Sequence, residues 1–250
     1  MEFLRAARVK MYKRFVSNSV PENNTFTLID DEHNHLANVL RLKTGDTIIV
    51  TCGDEFDYVC VILEITKKFT LCSIIEKVKN IHNPQKQIDV FHALIKNDKM
   101  SIVTQKLSEL GVSTLYLFES KFQTVKASEN KKEKLQKISN QSSKQCKRSL
   151  PMIVEDILPF NKMLDIIKNY EIVLFANETE SAKQLNTLSV ELITKNKIAI
   201  IIGSEGGFER TEIDKIIDRG AISLSLGSRI LRAETASIAL SGFVSFITNN

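Results

Sequence analysis

From residue 88 to the C-terminus, short apolar segments alternate with segments that have the periodicity of helices. The apolar segments predict strands at Ile88–Ile95, Thr114–Glu119, Met152–Ile157, Glu171–Ala176, Lys197–Ile202 and Ala221–Leu226. Helices are predicted at Met100–Leu110, which Gly111 ends, and at residues 129–146, 160–170, 209–219 and 233–248. Because strands that alternate with helices form a largely parallel, helix-covered sheet, residues 88–250 are predicted to be one α/β domain.

Residues 1–78 have a different pattern, that of a small all-β domain with one helix. Stretches rich in β-branched and aromatic residues predict strands at Tyr12–Val16, Thr25–Ile29, Thr47–Thr51, Asp57–Thr66 and Phe69–Val78. Residues 30–42 predict a short helix with Asp30 or Asp31 as its N-cap. We therefore expect a small β-barrel over residues 1–78. The polar stretch of residues 79–87, which contains Pro84, is predicted to be a linker.

The composition is that of a globular protein. The 250 residues are 43% hydrophobic and 26% charged, and no apolar stretch reaches the ~18–20 residues that a membrane span needs. The N-terminus lacks the pattern of a secretory signal, so we expect a cytoplasmic protein that does not enter membranes. The four cysteines form no CxxC pair and no zinc-like spacing with the four histidines, and we expect no metal site.

Basic residues are concentrated in two segments of the chain. Residues 121–148 hold nine lysines and arginines against two glutamates, and residues 1–16 hold five against one, although the net charge of the whole chain is only +4. Such clusters suit a polyanionic partner, because neutralising phosphates releases condensed counterions. A solvated helical face explains the same charges. Charge alone leaves both interpretations open.

Two loops at predicted strand ends are unusual. The first, Gly203-Ser204-Glu205-Gly206-Gly207, follows a fully apolar strand and matches neither the phosphate-loop pattern nor the dinucleotide pattern GxGxxG. The second contains Leu226-Gly227-Ser228-Arg229 and then two apolar residues, Ile230 and Leu231, which cover either the core or a flat apolar ligand. In open parallel sheets, ligands bind beyond the carboxyl ends of the strands. Both loops are therefore candidates for a ligand site.

The segments IIGSEGGFERTEID and LGSRILRAETASIAL together resemble the 16S ribosomal RNA (uracil-N3) methyltransferase family, the RsmE group of the knotted SPOUT class. The resemblance covers essentially the whole chain, since Arg14-Phe15, the segment His35 to Arg41, the segment Ala93 to Val112 and Gln145 to Arg148 also match motifs of the family. The chain departs from the family at Ser204, where proline is usual, and at Gln141, Ser142 and Lys144 in the long helix.

The resemblance implies a PUA-like RNA-binding barrel followed by an α/β SPOUT domain with a deep trefoil knot. It further implies S-adenosyl-L-methionine as the methyl donor, N3 of one uridine of 16S rRNA as the acceptor, the small ribosomal subunit as the partner, and a homodimer. The cofactor site implied by the resemblance consists of Phe175, Ala176, Gly203, Glu205, Gly206, Leu226, Gly227, Ile230 and Leu231.

Basic residues within the matched motifs are the candidates for contact with RNA. Arg232 is the candidate catalytic residue, holding the uracil or its phosphate. A carboxylate at Glu234 also stabilises a helix N-terminus, so we assign it no catalytic role, and the sequence identifies no general base. The candidate RNA-binding residues are Arg14, Arg41, Lys96, Lys99 and Arg148.

Three other functions remain to be separated from this one. The nearest is another knotted RNA methyltransferase, one that acts on a ribose 2′-hydroxyl or on a transfer RNA guanine. A second is a catalytically silent RNA-binding or ribosome-assembly protein, against which the intact GSEGG and LGSRILRAETA segments argue. A nicotinamide or nucleotide enzyme is the least favoured, because neither phosphate-binding pattern is present.

Overall fold

The computed structural model describes residues 12–126, 130–177 and 183–248, and the chain forms two compact units. The first unit contains the described residues up to Asn83 together with Ser143–Pro151. The second contains the described residues of Pro84–Ser142 and those from Met152 onward. The sequence had assigned residues 143–151 to the α/β domain, since its division followed the order of elements along the chain.

The first unit is built on a five-stranded sheet with the order β1-β3-β4-β5-β2. β1 and β3 are parallel and the other pairs are antiparallel. Within the described residues the edge strands β1 and β2 do not pair, so the predicted barrel is an open sheet. The strands are β1 (Arg14–Val16), β2 (Thr25–Ile29), β3 (Thr47–Thr51), β4 (Phe56–Ile65) and β5 (Phe69–Lys79).

One helix packs on this sheet, and its start differs from the prediction. Helix α1 (Asp30–Asn34) continues into a π-helical turn, His35–Val39, whose Leu36 is fully buried. Neither Asp30 nor Asp31 is the N-cap: that position belongs to Ile29, and no side chain caps the helix. The reason is that β2 runs directly into α1, which leaves no residue between them to serve as a cap.

Asn80 and Asn83, which the sequence placed in a linker, attach residues 143–151 to this unit. The Asn80 side-chain amide donates to Asp57 Oδ1 (2.7 Å) and to the Lys147 carbonyl (2.8 Å). The Asn83 amide nitrogen bonds to Ser149 Oγ (2.8 Å), and its oxygen accepts from the Ser149 backbone N–H (3.0 Å). Both asparagines are buried. These two polar residues of the predicted linker thus form internal hydrogen bonds.

The second unit is a seven-stranded parallel sheet with the order β10-β12-β9-β11-β6-β7-β8. The predicted strand at Met152–Ile157 is reduced to two residues, and the sequence predicted no element between Ala176 and Lys197. The strands are β6 (Gln87–Ala93), β7 (Thr114–Phe118), β8 (Ile153–Val154), β9 (Ile172–Ala176), β10 (Lys183–Gln184), β11 (Lys197–Ile202) and β12 (Ile222–Ser225). The helices are α2 (Asn97–Glu109), α3 (Lys131–Cys146), α4 (Phe160–Ile166), α5 (Ser189–Thr194), α6 (Arg210–Asp218) and α7 (Ala233–Thr248); the last four residues of α3 belong to the first unit.

Two apolar layers cover the two faces of this sheet, because successive side chains of a strand point to opposite faces. In β6, Ile88 and Val90 face the layer that includes Leu107 of α2 and Leu240 of α7. Phe91 and Ala93 face the layer formed with α4 and α6. The central strands are buried on both sides, as in other helix-covered parallel sheets. This arrangement sets the carboxyl ends of β6, β7, β9, β11 and β12 along one edge.

Two findings concern membranes and metals. No helix in the described ranges is both long and apolar enough to cross a membrane. Within the same ranges, no three His, Cys, Asp or Glu residues are grouped as a metal site would require.

The first unit depends on an ion pair between Arg14 of β1 and Asp57 of β4. Both guanidinium terminal nitrogens donate to the carboxylate, Nη1 to Oδ2 at 3.0 Å and Nη2 to Oδ1, and the two side chains are 8% and 6% exposed. Removing one member of a buried pair costs about 3 kcal/mol, so we expect Arg14→Ala to destabilise this unit by that amount. Denaturant unfolding measures it. The control is Lys43→Ala on the exposed surface, which should change stability by less than about 0.5 kcal/mol; equal effects would contradict the prediction.

Candidate active site

A cavity of about 810 Å³ lies at the edge where the parallel strands end, and the second unit supplies all of its lining. The loops after β6, β7, β9, β11 and β12 contribute to it. Its walls are Lys96, Lys99, Thr124, Ala176, Asn177, Ile202, Gly203, Ser204, Glu205, Gly206, Gly207, Phe208, Leu224, Leu226, Ile230, Leu231, Arg232, Ala233, Glu234 and Ala236.

The loop after β11 is packed so closely that two of its positions require glycine. A Cβ on Gly203 would lie 2.7 Å from Cε2 of the Phe208 ring, and a Cβ on Gly206 would lie 2.7 Å from the carbonyl oxygen of Phe122. Both distances are too short for a real Cβ contact. A side chain at position 203 would therefore have to displace the Phe208 ring, and one at position 206 would have to displace the Phe122 backbone.

The loop between β12 and α7 gives the cavity its apolar wall. Leu226 and Leu231 are half-buried and pack against the core of the second unit. Ile230 is 85% exposed, although it lines the cavity. An isoleucine this exposed is available to cover a bound apolar group. Gly227, which the sequence included in the cofactor site, lies outside the lining and has a positive φ of 116° that shapes the turn.

The loop after β9 places one apolar and one polar residue in the cavity lining. Ala176 lines the cavity, and its neighbour Asn177 donates its backbone N–H to the Leu224 carbonyl (3.0 Å). The side-chain nitrogen of Asn177 is buried and has no hydrogen-bond partner among the described residues. Phe175 does not reach the cavity: it is fully buried and contacts the Phe208 ring edge-to-face at 5.1 Å. It supports the wall from behind.

Charged side chains also line the cavity. Arg232 is exposed, and Lys99 pairs with Glu234 at 3.9 Å, a carboxylate only 14% exposed in the first turn of α7. Glu205 Oε1 accepts from the Lys96 backbone N–H at 3.5 Å. Three cations and two carboxylates thus share one cavity. The structure brings together Arg232, Lys96, Lys99 and seven of the nine predicted cofactor residues.

Thr124 and Asn177 are cavity residues that sequence reasoning missed. Asn177 directly follows Ala176, so the rule that ligands bind at strand ends would have included it. Thr124 lies in the segment between β7 and α3, which carries no glycine or other signal of a ligand site. Only the folding of that segment against the loop after β11 brings it to the cavity.

The other three candidate RNA-binding residues lie in the first unit and differ in exposure. Arg41 is exposed. The Arg14 side chain is occupied by Asp57. Arg148 is 4% exposed, and burial lowers the pKa of its guanidinium to about 10. Arg14 and Arg148 therefore present little surface to a large partner.

Four of the nine basic side chains in the segment 121–148 are paired or buried. Lys144, one of the departures from the family, pairs with Glu32 of α1. Lys132 pairs with Asp156 at 2.8 Å. Lys131 is buried, which lowers its pKa, and its ammonium lies 3.4 Å from the Ile95 carbonyl. Together with Arg148, these lysines show that sign and sequence position do not tell which charges of the segment are available to a partner.

Comparison with known proteins agrees with this architecture. The RNA methyltransferase domain family matches residues 82–245, and the RNA methyltransferase PUA domain family matches residues 28–75. Ribosomal RNA small subunit methyltransferase E of Mesomycoplasma hyopneumoniae is 31% identical over 92% of this chain and 97% of that protein. The Bacillus subtilis protein of the same name is 27% identical over 92% of this chain and 93% of its own length.

Solved structures share the fold along nearly the whole chain. Ribosomal RNA small subunit methyltransferase E from Neisseria gonorrhoeae, bound to S-adenosyl methionine, has a TM-score of 0.84 at 23% identity and covers 94% of this chain and 98% of its own. A putative methyltransferase from Legionella pneumophila, in complex with the same cofactor, has a TM-score of 0.85 at 23% identity, with coverage of 94% and 97%.

The parallel sheet, its glycine-bearing edge and the domain match define the class of the protein as an RNA methyltransferase with a PUA domain. Within that class, the chain belongs to the ribosomal RNA small subunit methyltransferase E family.

A buried histidine next to the cavity gives a prediction on protonation. His92 near the end of β6 is fully buried, and its Nδ1–H donates to the Ala93 carbonyl (2.7 Å). Burial lowers its pKa to about 4, although backbone hydrogen bonding at Ala93 and Ala233 and the charges of Glu205 and Glu234 oppose the shift. We expect the ring to stay neutral at pH 5–8, as ¹⁵N NMR of the imidazole will measure.

The same shift makes stability depend on pH. The unfolded state binds the proton at the ordinary pKa of 6.5, above the folded value, so this contribution to stability is present above pH 6.5 and is lost as the pH falls towards 4. A His92 ring that titrates near pH 6.5 in the folded protein would contradict the assignment.

Proposed function

We propose that this protein transfers a methyl group from S-adenosyl-L-methionine to N3 of a uridine in the decoding region of 16S rRNA of the small ribosomal subunit. The observation that carries the proposal is the cavity at the carboxyl edge of the parallel sheet, to which the segments after five strands contribute. Membership of the methyltransferase E family supports the acceptor, and the cofactor bound to the Neisseria and Legionella proteins supports the donor.

The residues of the cavity fit S-adenosyl-L-methionine. The unpartnered amide of Asn177 offers a hydrogen-bond donor, and the glycines at 203 and 206 expose backbone without Cβ atoms. Ile230 and Leu231 offer an apolar cover for the adenine. Ala176, Glu205 and Leu226 complete the group that would hold the cofactor, with Phe175 and Gly227 supporting the loops.

The chemistry requires that the acceptor nitrogen lose its proton. The bound cofactor supplies a methyl group that is already electrophilic, so the protein has to align the uracil and stabilise its anion. N3 lies on the Watson–Crick edge, so the uridine must be unpaired or drawn out of its stack. As N3 loses its proton, charge spreads to O2 and O4, where the Arg232 guanidinium in the cavity lining would stabilise it.

We propose that RNA contacts both units. Arg41, exposed in the first unit, and Lys96 and Lys99 at the cavity would contact phosphates. Arg14 and Arg148 would act by holding the first unit together. In this proposal residues 1–78 form the PUA-like RNA-binding domain, residues 79–87 the connection and residues 88–250 the catalytic domain, except that residues 143–151 pack with the first unit.

Three further features belong to the proposal because the chain belongs to this family. We propose that the catalytic domain contains a deep trefoil knot, that the protein is cytoplasmic, and that it is a homodimer. Phe246 on α7 is 75% exposed, which supports a dimer contact through that helix, since exposed aromatic side chains are enriched at interfaces. A monomer at micromolar concentration in light scattering would contradict the dimer.

The test is methylation of small ribosomal subunits that lack their own modification, with labelled S-adenosyl-L-methionine, followed by nucleoside analysis. Label in 3-methyluridine is the expected result. Label in another nucleoside would show that the protein is an RNA methyltransferase with a different acceptor. No label, and no heat of cofactor binding by calorimetry, would favour the silent RNA-binding protein.

Substitution of Arg232 tests its role in turnover. Removing one group that stabilises developing charge costs about 10²-fold in kcat, so we expect Arg232→Ala to lose that much activity while its affinity for S-adenosyl-L-methionine changes little. Arg229→Ala is the matched control, since Arg229 is exposed on the same loop but does not line the cavity. Equal kcat for the two variants would remove Arg232 from the mechanism.

A further inference from the structure

Residues 120–124, between β7 and α3, lie directly against the glycine loop 203–207; we call them the strap. The Phe122 carbonyl oxygen occupies the place next to Gly206 that a Cβ would need. Ser120 is buried, and its Oγ lies 3.5 Å from Oγ of Ser204, the residue that departs from the family's usual proline. Thr124 lines the cavity. The strap therefore forms part of the cavity wall.

Glu212 on α6 connects the strap to the segment that follows the glycine loop. Its Oε2 accepts from the Glu209 backbone N–H at 2.9 Å, which is half of the capping box at the start of α6. Its Oε1 accepts from the Lys121 backbone N–H, also at 2.9 Å and 91 positions away in the sequence. The residue is 7% exposed and does not line the cavity. One buried carboxylate thus holds two separate backbones.

The two bonds require a carboxylate. Hydrogen bonds to an ionised acceptor are stronger than neutral ones, and both oxygens of Glu212 accept. A glutamine of the same length has one oxygen and one NH₂ group, and the NH₂ group cannot accept from a backbone N–H. A Glu212→Gln side chain can keep the cap or the strap, but not both.

We propose that Glu212 is a positioning residue that holds the strap against Gly206 and so sets the shape of the cofactor cavity. The proposal rests on the proposed function in that the ligand is S-adenosyl-L-methionine. It concerns the part of the cavity wall between Thr124 and Gly206. The sequence motifs of the two ligand loops did not indicate that the strap packs there.

The test compares Glu212→Gln with Glu209→Ala. Glu212→Gln cannot keep both of its bonds, whereas Glu209→Ala removes the other side-chain bond of the capping box and leaves the backbone N–H of residue 209 and the bond from Lys121 in place. We expect Glu212→Gln to weaken S-adenosyl-L-methionine binding about tenfold by calorimetry, because binding would then have to order a strap that has lost one charge-assisted hydrogen bond. Amide hydrogen exchange at Lys121 should be faster in this variant alone, and Glu209→Ala should bind the cofactor as the wild type does.

Each other outcome counts against the inference. Wild-type affinity in Glu212→Gln, with faster amide exchange at Lys121, would show that the strap does not shape the cavity. An equal loss in Glu209→Ala would assign the effect to the helix cap. If the wild-type protein itself does not bind S-adenosyl-L-methionine, the proposed function fails and this inference with it, a result distinct from the other two. Lys121→Pro, which removes the donor and keeps Glu212, should reproduce the tenfold loss if circular dichroism shows that it folds.

Discussion

The direction of the seven strands of the large sheet is the constraint on which the site depends. Because all of them are parallel, the loops that follow β6, β7, β9, β11 and β12 leave from one edge, although they are far apart in the sequence. Helices on both faces bury the central strands, so the strand ends are held rigidly. A cavity at that edge is built from loops whose starting points cannot shift independently.

Close backbone contact then shapes the cavity. Gly203 admits the Phe208 ring and Gly206 admits the Phe122 carbonyl, at distances that no side chain would tolerate. Phe208 in turn contacts Phe175, so a residue of the hydrophobic core packs directly behind the cavity wall. The glycines are therefore explained as much by protein packing as by the approach of a ligand. Both requirements act on the same loop.

The basic segment shows why charge in a sequence is a weak guide to RNA contact. Lys144 and Lys132 are paired with carboxylates, while Lys131 and Arg148 are buried. Arg14 is likewise held by Asp57. A sequence shows the sign of each charge. Whether that charge is buried or paired depends on residues more than 20 positions away that pack beside it. Lys96, Lys99 and Arg232 differ because they line the cavity, although Lys99 also pairs with Glu234.

The sequence by itself determined the local elements, such as the strand Lys197–Ile202 and the helix 233–248, and the two loops that identified the family. Apolar periodicity and glycine positions encode these features locally. Only the tertiary structure decided that Phe175 supports the wall from behind, that Thr124 lines the cavity, and that residues 143–151 join the first unit. These outcomes depend on packing and hydrogen bonds between distant segments, such as that of Glu212 with Lys121, which no local pattern records.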